Sequence, residues 1–466
     1  MGYTIQQAII PSELDYVQAD VRIEGDRITA IAPRLDPQGT VINGNNHLLL
    51  PGFVNAHTHS SEMWQRGMIP PRPLELWLAE LYDFTPLNPE QLYLSALGTA
   101  VETLLSGGTT VVDHLVIIPG LEEESVDAVI RAYREVGIRA FVGPLLQDEA
   151  TTAALPSGGD PRTHIPYLRS TAETLELLAT LVDRYHRPDA GIHIMTAPTG
   201  MQLCSDALFE GCVELSDRHS LCRHTHLLES KAQVLLAQEK YGYSAVKHLQ
   251  KLGFLGTRTS LAHCVWLEDA DIEILRETGS TVVHNPLSNL RLGSGIAPVL
   301  KFRQAGVNIA FGCDGAASND SQDLLEAIKI GSILHNTNDF EYRNWISPRE
   351  AVQMASLGGA TGLGLADQVG TLTVGKKADL VLYDLTRLSL LPRTDPIGLL
   401  VLGRPVNVVQ HAWVDGRQVV QDGRVTRIDV EALSQELFAQ SQWQSQRRSP
   451  GAIEMEIAYR RVMKLA

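Results

Sequence analysis

Two histidines one residue apart, His57 and His59 in PGFVNAHTHS, are the residues of this chain most able to do chemistry. Side chains two apart on a strand point to one side, so both imidazoles project together from a strand end. Such a pair is half of a metal site. An isolated HxH is more often two ordinary polar residues, but this one is not isolated. His226 closes CRHTH, His263 closes LAHC, His284 closes TVVH and Asp314 closes AFGCD. His114 ends VVDH in the same way, and Trp77 sits in LELWLAEL on the long segment after the histidine pair. Metal-ligand residue types at the ends of successive strands call for a fold that brings those ends together.

The pattern that would position them starts near residue 100. Amphipathic runs end at Gly or a short polar break and give way to β-branched runs, as in SALGTAVETLLSGGTTVVDH. Eight strands are expected, at about 48–56, 109–114, 138–144, 191–195, 222–226, 259–264, 281–285 and 308–314. Alternation with helices implies parallel neighbours, and eight units are the number that closes a (β/α)8 TIM-type barrel. Its active site lies at the C-terminal ends of the strands. Counting strands alone leaves an open doubly wound sheet as the alternative.

Both ends of the chain have a different texture. ADVRIEGDRITAIAP turns at Gly25-Asp26, and VNVVQHAWVDGRQVVQDGRV turns at Asp415-Gly416 and Asp422-Gly423. Neither end has enough strands for its own sheet. The expected organisation is therefore a composite β-sandwich from 1–50 and 367–427, a barrel over 51–366 and a helical extension over 428–466. Ser347-Pro348-Arg349-Glu350 reads as the capped start of a helix.

PGFVNAHTH, HTHLLE, SLAHC, HNPLSNLRLGSG and GCDGAASND resemble the signatures of the amidohydrolase superfamily. They are most similar to its chlorohydrolase and aminohydrolase branch, which includes triazine hydrolases and deaminases of nucleobases and adenosine derivatives. The resemblance runs from about Asn55 to Leu385 and includes GTLTVGKKADLVLYD. It implies one divalent metal ion held by His57, His59, His226 and Asp314, zinc first and iron as the alternative. Bimetallic relatives add a carboxylated lysine after strand 4; GIHIMTAPTGMQLCS has no Lys, which favours one ion.

The implied roles make chemical sense. A divalent ion lowers the pKa of water from about 16 to near 7, so hydroxide is available at neutral pH. Asp314 is placed to take a proton from that water, and His263 to hold the attacking oxygen. Glu229, three residues beyond His226, would carry a proton to a ring nitrogen and then to the leaving amine. His114, Thr199, His284 and Trp77 are the expected substrate contacts. His224 reads as a packed core histidine, and Cys313 as packing rather than a nucleophile.

These residues imply a hydrolytic deaminase of an amino-substituted nitrogen heterocycle: a guanine-like purine, a pterin, a pyrimidine or a triazine. The alternatives are a triazine hydrolase expelling halide or alkylamine, ring opening of a cyclic amide, and a deaminase of S-adenosylhomocysteine or methylthioadenosine. Relatives of the last kind carry a histidine where Thr199 stands, a difference that argues against adenosine thioethers as the best substrates. A catalytically silent scaffold is the remote alternative, because such proteins lose metal ligands.

Composition narrows the partners. The formal net charge of −15, with no basic block, opposes nucleic-acid binding. No apolar run is long enough for a membrane span, and MGYTIQQAII lacks the features of a secretory signal. Five cysteines without a CxxC pair fit free thiols in the cytoplasm. A small heterocyclic molecule is the expected partner, and the sequence leaves a homo-oligomer open.

Overall fold

The computed structural model describes residues 2–13, 15–81, 87–150, 154–156, 169–441 and 450–465. Eight parallel strands form the barrel: β6 (Phe53–Thr58), β7 (Gly108–Leu115), β8 (Arg139–Pro144), β9 (Ile192–Ile194), β10 (Arg223–Leu227), β11 (Thr259–His263), β12 (Thr281–His284) and β13 (Asn308–Phe311). They pair in sequence order as two runs of four. A parallel bridge from Thr196 to Arg223 joins the runs on one side. On the other, the Asp314 amide donates to the His57 carbonyl at 2.9 Å, closing the ring. Helices such as Pro89–Leu105, Glu122–Val136 and Thr171–Tyr185 cover the outside. Asn88, Ser170 and Ser347 each form a reciprocal capping box, the last as the sequence suggests.

The chain ends meet in one sheet. β1 (Gly2–Pro11), β2 (Tyr16–Glu24), β3 (Arg27–Ala32), β4 (Thr40–Asn43) and β5 (His47–Pro51) join β14 (Leu380–Asp384), β15 (Val409–Val414), β16 (Arg417–Gln421) and β17 (Arg424–Val425). The order is β17-β16-β15-β14-β5-β1-β2-β3, with β4 beside β1. Ile5, Val21, Ile23, Leu49, Leu380, Leu382 and Trp413 pack its apolar core. This is the pairing of termini that the alternating segments call for.

The strand expected over 48–56 is instead two strands in two sheets. His47–Pro51 pairs with β14, and Phe53–Thr58 pairs with β7. Gly52 is the crossing point, where a Cβ would lie 2.1 Å from Thr109 Oγ1. A continuous apolar run satisfies either sheet, so pattern alone does not reveal the switch. The eighth strand ends at Phe311, short of the expected 314. Beyond it the Cys313 amide donates to the Asn55 side chain at 3.0 Å, where a ladder bond would otherwise form.

Barrel and terminal sheet are fastened by charge at the start of β8. Arg139, 2% exposed, pairs with Asp379 and with Asp415 at 2.6 Å, and Lys377 reaches Asp415 at 2.8 Å. The C-terminal helix Pro450–Val462 lies against the helix Leu74–Leu81. Among the described residues no helix is long and apolar enough to cross a membrane. All five cysteines are buried and unpaired.

Candidate active site

The C-terminal ends of the strands bring His57, His59, His226, His263 and Asp314 together. His57 Nε2 and His59 Nε2 stand 3.3 and 3.4 Å from Asp314 Oδ1, and His226 Nε2 is 3.3 Å from His59 Nε2. His263 and Asp314 are non-glycine residues at φ 73° and 64°. Left-handed backbone at a strand end costs energy and gathers at functional sites, where it aims side chains that a regular strand would turn elsewhere.

Hydrogen bonds behind the imidazoles fix which nitrogen faces inward. His59 Nδ1 donates to the His114 carbonyl and His226 Nδ1 to the Thr199 carbonyl, each at 2.6 Å. A carbonyl only accepts, so both rings carry the proton on Nδ1 and turn an Nε2 lone pair inward. His57 reaches the same state by a longer route. Its Nδ1 lies 2.8 Å from His224 Nε2, and His224 Nδ1 lies 2.7 Å from the Ser260 hydroxyl. Ser260 in turn donates to the Arg223 carbonyl at 3.4 Å, which leaves it to accept from His224. His224 is thus satisfied and buried, as expected, and in addition it orients His57.

These residues fit a divalent cation. His57 Nε2 is buried without a hydrogen-bond partner. Donor separations of 3.3–3.4 Å match the edge of a tetrahedron whose corners lie about 2.0–2.1 Å from its centre, as for zinc ligands. The protonation states agree. Burial pushes His57 down to about 4 and His226 well below the usual imidazole range, so both are neutral. Burial would also lower His59, but the carboxylates Glu62 and Asp314 raise it instead. Burial would raise Asp314, yet the neighbouring His57, His263 and His59 hold it well below the usual carboxylate range.

A cleft of about 600 Å³ opens on this cluster. Leu74, Trp77, Leu78, Leu81, Val116, Leu145, Leu203 and Leu292 give it an apolar wall, broken by Thr199, Gln202, Ser318, Glu62 and Glu229. Glu229 Oε2 is 3.5 Å from His263 Nε2, and its Oε1 accepts from Ser294 Oγ at 3.1 Å. Burial pushes its carboxyl up to about 7, against the pull of His263. His263 Nδ1 is anchored on Asn289 Oδ1 at 2.9 Å.

Trp77 and Thr199 line the cleft. Trp77 is also core-like, its indole donating to the Ala317 carbonyl at 3.2 Å. Thr199 spends its hydroxyl proton on the Leu146 carbonyl at 2.8 Å, so toward the cleft it offers only an acceptor. His114 and His284, expected at the substrate, are not among the lining residues. His114 stacks behind the ligands, 4.7 Å from the His226 ring, with Nε2 on the Ala197 carbonyl. His284 faces His335, their Nε2 atoms 3.3 Å apart. Both are fully buried behind the wall, because a strand-end position alone does not place a ring at the mouth. Glu62 went unread in the sequence: it stands on the 3-10 turn Ser60–Gln65, where no periodicity marks it, and only the fold carries it to the cleft.

Comparison with known proteins agrees with this geometry. The amidohydrolase family model matches residues 48–419. The chain is 34% identical over 390 residues to the 5-methylthioadenosine/S-adenosylhomocysteine deaminase of Syntrophobacter fumaroxidans, covering 83% of each chain. It is 32% identical over 414 residues to the 5'-deoxyadenosine deaminase of Methanothermobacter thermautotrophicus, covering 88% of this chain and 90% of the relative. Among solved structures, the zinc complex of atrazine chlorohydrolase from Arthrobacter aurescens superimposes with a TM-score of 0.86 at 26% identity, covering 94% of this chain and 99% of that one. A zinc-bound adenosine deaminase from Xanthomonas campestris gives 0.83 at 27% identity, covering 94% and 97%. By sequence, by barrel and by the residues gathered at its mouth, the chain belongs to the amidohydrolase family, and it is a hydrolase.

Proposed function

We propose that this protein is a hydrolytic deaminase that releases ammonia from the amino-bearing ring carbon of a nitrogen heterocycle. The observation that carries the proposal is Glu229: a buried carboxyl raised to about 7, on the cleft and 3.5 Å from His263. An amine leaves poorly unless it is protonated, whereas a halide needs no proton, so an acid still partly protonated at neutral pH favours amine departure.

His57, His59, His226 and Asp314 would hold the cation, read as a single zinc ion because zinc occupies the solved neighbours and the stretch 191–205 at the end of β9 has no Lys. When bound, it makes hydroxide available near neutral pH. Glu229 gives its proton to the ring nitrogen beside the reacting carbon, which makes that carbon electrophilic. Asp314 takes a proton from the attacking water while His263 steadies the incoming oxygen. Glu229 then carries the remaining hydroxyl proton to the amine, and the proton on Asp314 restores Glu229, leaving a lactam and ammonia. The five unpaired cysteines support a cytoplasmic setting. The division into 1–50 with 367–427, 51–366 and 428–466 remains our domain reading.

A second reading follows from the relatives that act on 5'-deoxyadenosine or methylthioadenosine: a 6-aminopurine nucleoside whose apolar 5' group lies along Leu74, Leu78 and Leu81. The test is ammonia release from aminopurines, pterins, aminopyrimidines, aminotriazines and these nucleosides, with chloride and alkylamine measured alongside. Ammonia from at least one compound is expected; halide or alkylamine without ammonia rejects the proposal.

A further inference from the structure

The cleft holds a third carboxyl group, beside Glu229 and Asp314, that the reaction above does not use. Glu62 is 4% exposed and lines the cleft. Its Oε2 accepts the Ala317 amide at 3.2 Å, and the Ala317 carbonyl accepts the Trp77 indole at 3.2 Å. One short segment therefore fixes a carboxylate and an aromatic ring on the same side of the cleft. Gly315 gives the carboxylate its room: a Cβ there would come within 1.8 Å of Glu62 Oε2. No Lys, Arg or His of the described residues lies within ion-pair distance of Glu62. Its Oε1 accepts no hydrogen bond from the described residues and is not among the sealed-off buried atoms, so it opens on the cleft.

Burial pushes the Glu62 carboxyl up to about 7 against the pull of His59, so its ionised form is costly there unless something in the site donates to the free oxygen. Apolar groups and ring acceptors cannot. A ring N–H can, and Trp77 lines the same cleft. We propose that Glu62 selects the substrate, its free oxygen accepting a ring N–H, so that the preferred substrates are aminated lactam-type heterocycles of guanine or pterin kind. The assignment rests on the deaminase reading and names its substrate class. Rings whose corresponding nitrogen is alkylated, or carries no hydrogen, leave the carboxylate unpaired and are disfavoured. Thr199 is compatible, because it too presents only an acceptor to the cleft.

The test is binding rather than turnover, so it stays readable if no ammonia-releasing substrate is found. Zinc-loaded wild type and Glu62→Gln are titrated by calorimetry with two unreactive lactams, xanthine and 1,3-dimethylxanthine. In Glu62→Gln the side-chain oxygen can still take the Ala317 amide, but the group facing the cleft becomes an NH2 donor. Wild type is expected to prefer xanthine by about 10-fold or more, the scale of a hydrogen bond to a charged group. The variant should lose most of that preference, with melting temperature and zinc content unchanged. A role confined to supporting the Gly315–Ala317 segment would instead shift the melting temperature and weaken both ligands alike. An equal preference in the two proteins, no binding of xanthine to wild type, or loss of zinc from the variant overturns the assignment.

Discussion

Removing His224 should weaken the metal site without touching a ligand. His224 is buried and meets His57 Nδ1 at 2.8 Å, with Ser260 2.7 Å behind it. His224→Leu keeps the volume roughly constant but leaves His57 Nδ1 buried and unpaired. A buried polar group stripped of its partner costs about 1–3 kcal/mol, which is about 5- to 150-fold in an equilibrium constant. Loss of the outer partner of a metal-ligating histidine costs about 10–100-fold in affinity, and the two figures overlap. Ser260→Ala should cost less, because the His224–His57 bond survives it. Competition against a chromophoric chelator measures both variants on one scale. Zinc affinity in His224→Leu equal to wild type would refute the orienting chain that runs from the Arg223 carbonyl to His57.

Four further outcomes follow from the same structure. Glu229→Gln should lower kcat by about 10²-fold or more while zinc content is unchanged. Because burial raises the Glu229 carboxyl to about 7, the proton it donates is present below about pH 7 and lost above it. Wild-type activity should therefore decline as pH rises through about 7, and a pH–rate profile of Glu229→Gln should lack that limb. Elemental analysis of dialysed protein should find close to one zinc per chain, and a reproducible ratio of two would contradict the single site. Arg139→Met strands Asp379 and Asp415 beside a single Lys377, so urea unfolding should show a loss of about 3–5 kcal/mol; a loss under about 1 kcal/mol would mean the charged joint between barrel and terminal sheet is dispensable.

The parts of this molecule legible in its sequence are those written in local pattern. Alternation placed His57, His59, His226 and His263 at strand ends, and a parallel barrel makes every such end converge. Hairpin turns at Asp415-Gly416 and Asp422-Gly423 announced the terminal sheet. What escaped depends on contacts between distant segments. The switch at Gly52 is decided by Thr109 and β14, and the inward setting of His57 Nε2 by Ser260 across the barrel. Glu62 becomes part of the cleft only because Gly315 and Ala317, some 250 residues away, leave it space and donate to it. His114 and His284 show the converse: a histidine at a strand end is not thereby at the surface of the cleft, and burial behind the first layer is invisible to periodicity.

Replacement of a ring amine by oxygen from water can be followed by a mass balance in ¹⁸O-labelled water. Zinc-loaded protein is supplied with the most rapidly consumed aminoheterocycle, and ammonia and product are quantified together. One ammonia per molecule consumed and one ¹⁸O on the carbon that carried the amine are expected, both abolished in Asp314→Asn. Product that keeps its amine while losing another substituent, or ammonia released without ¹⁸O in the ring, would contradict that replacement.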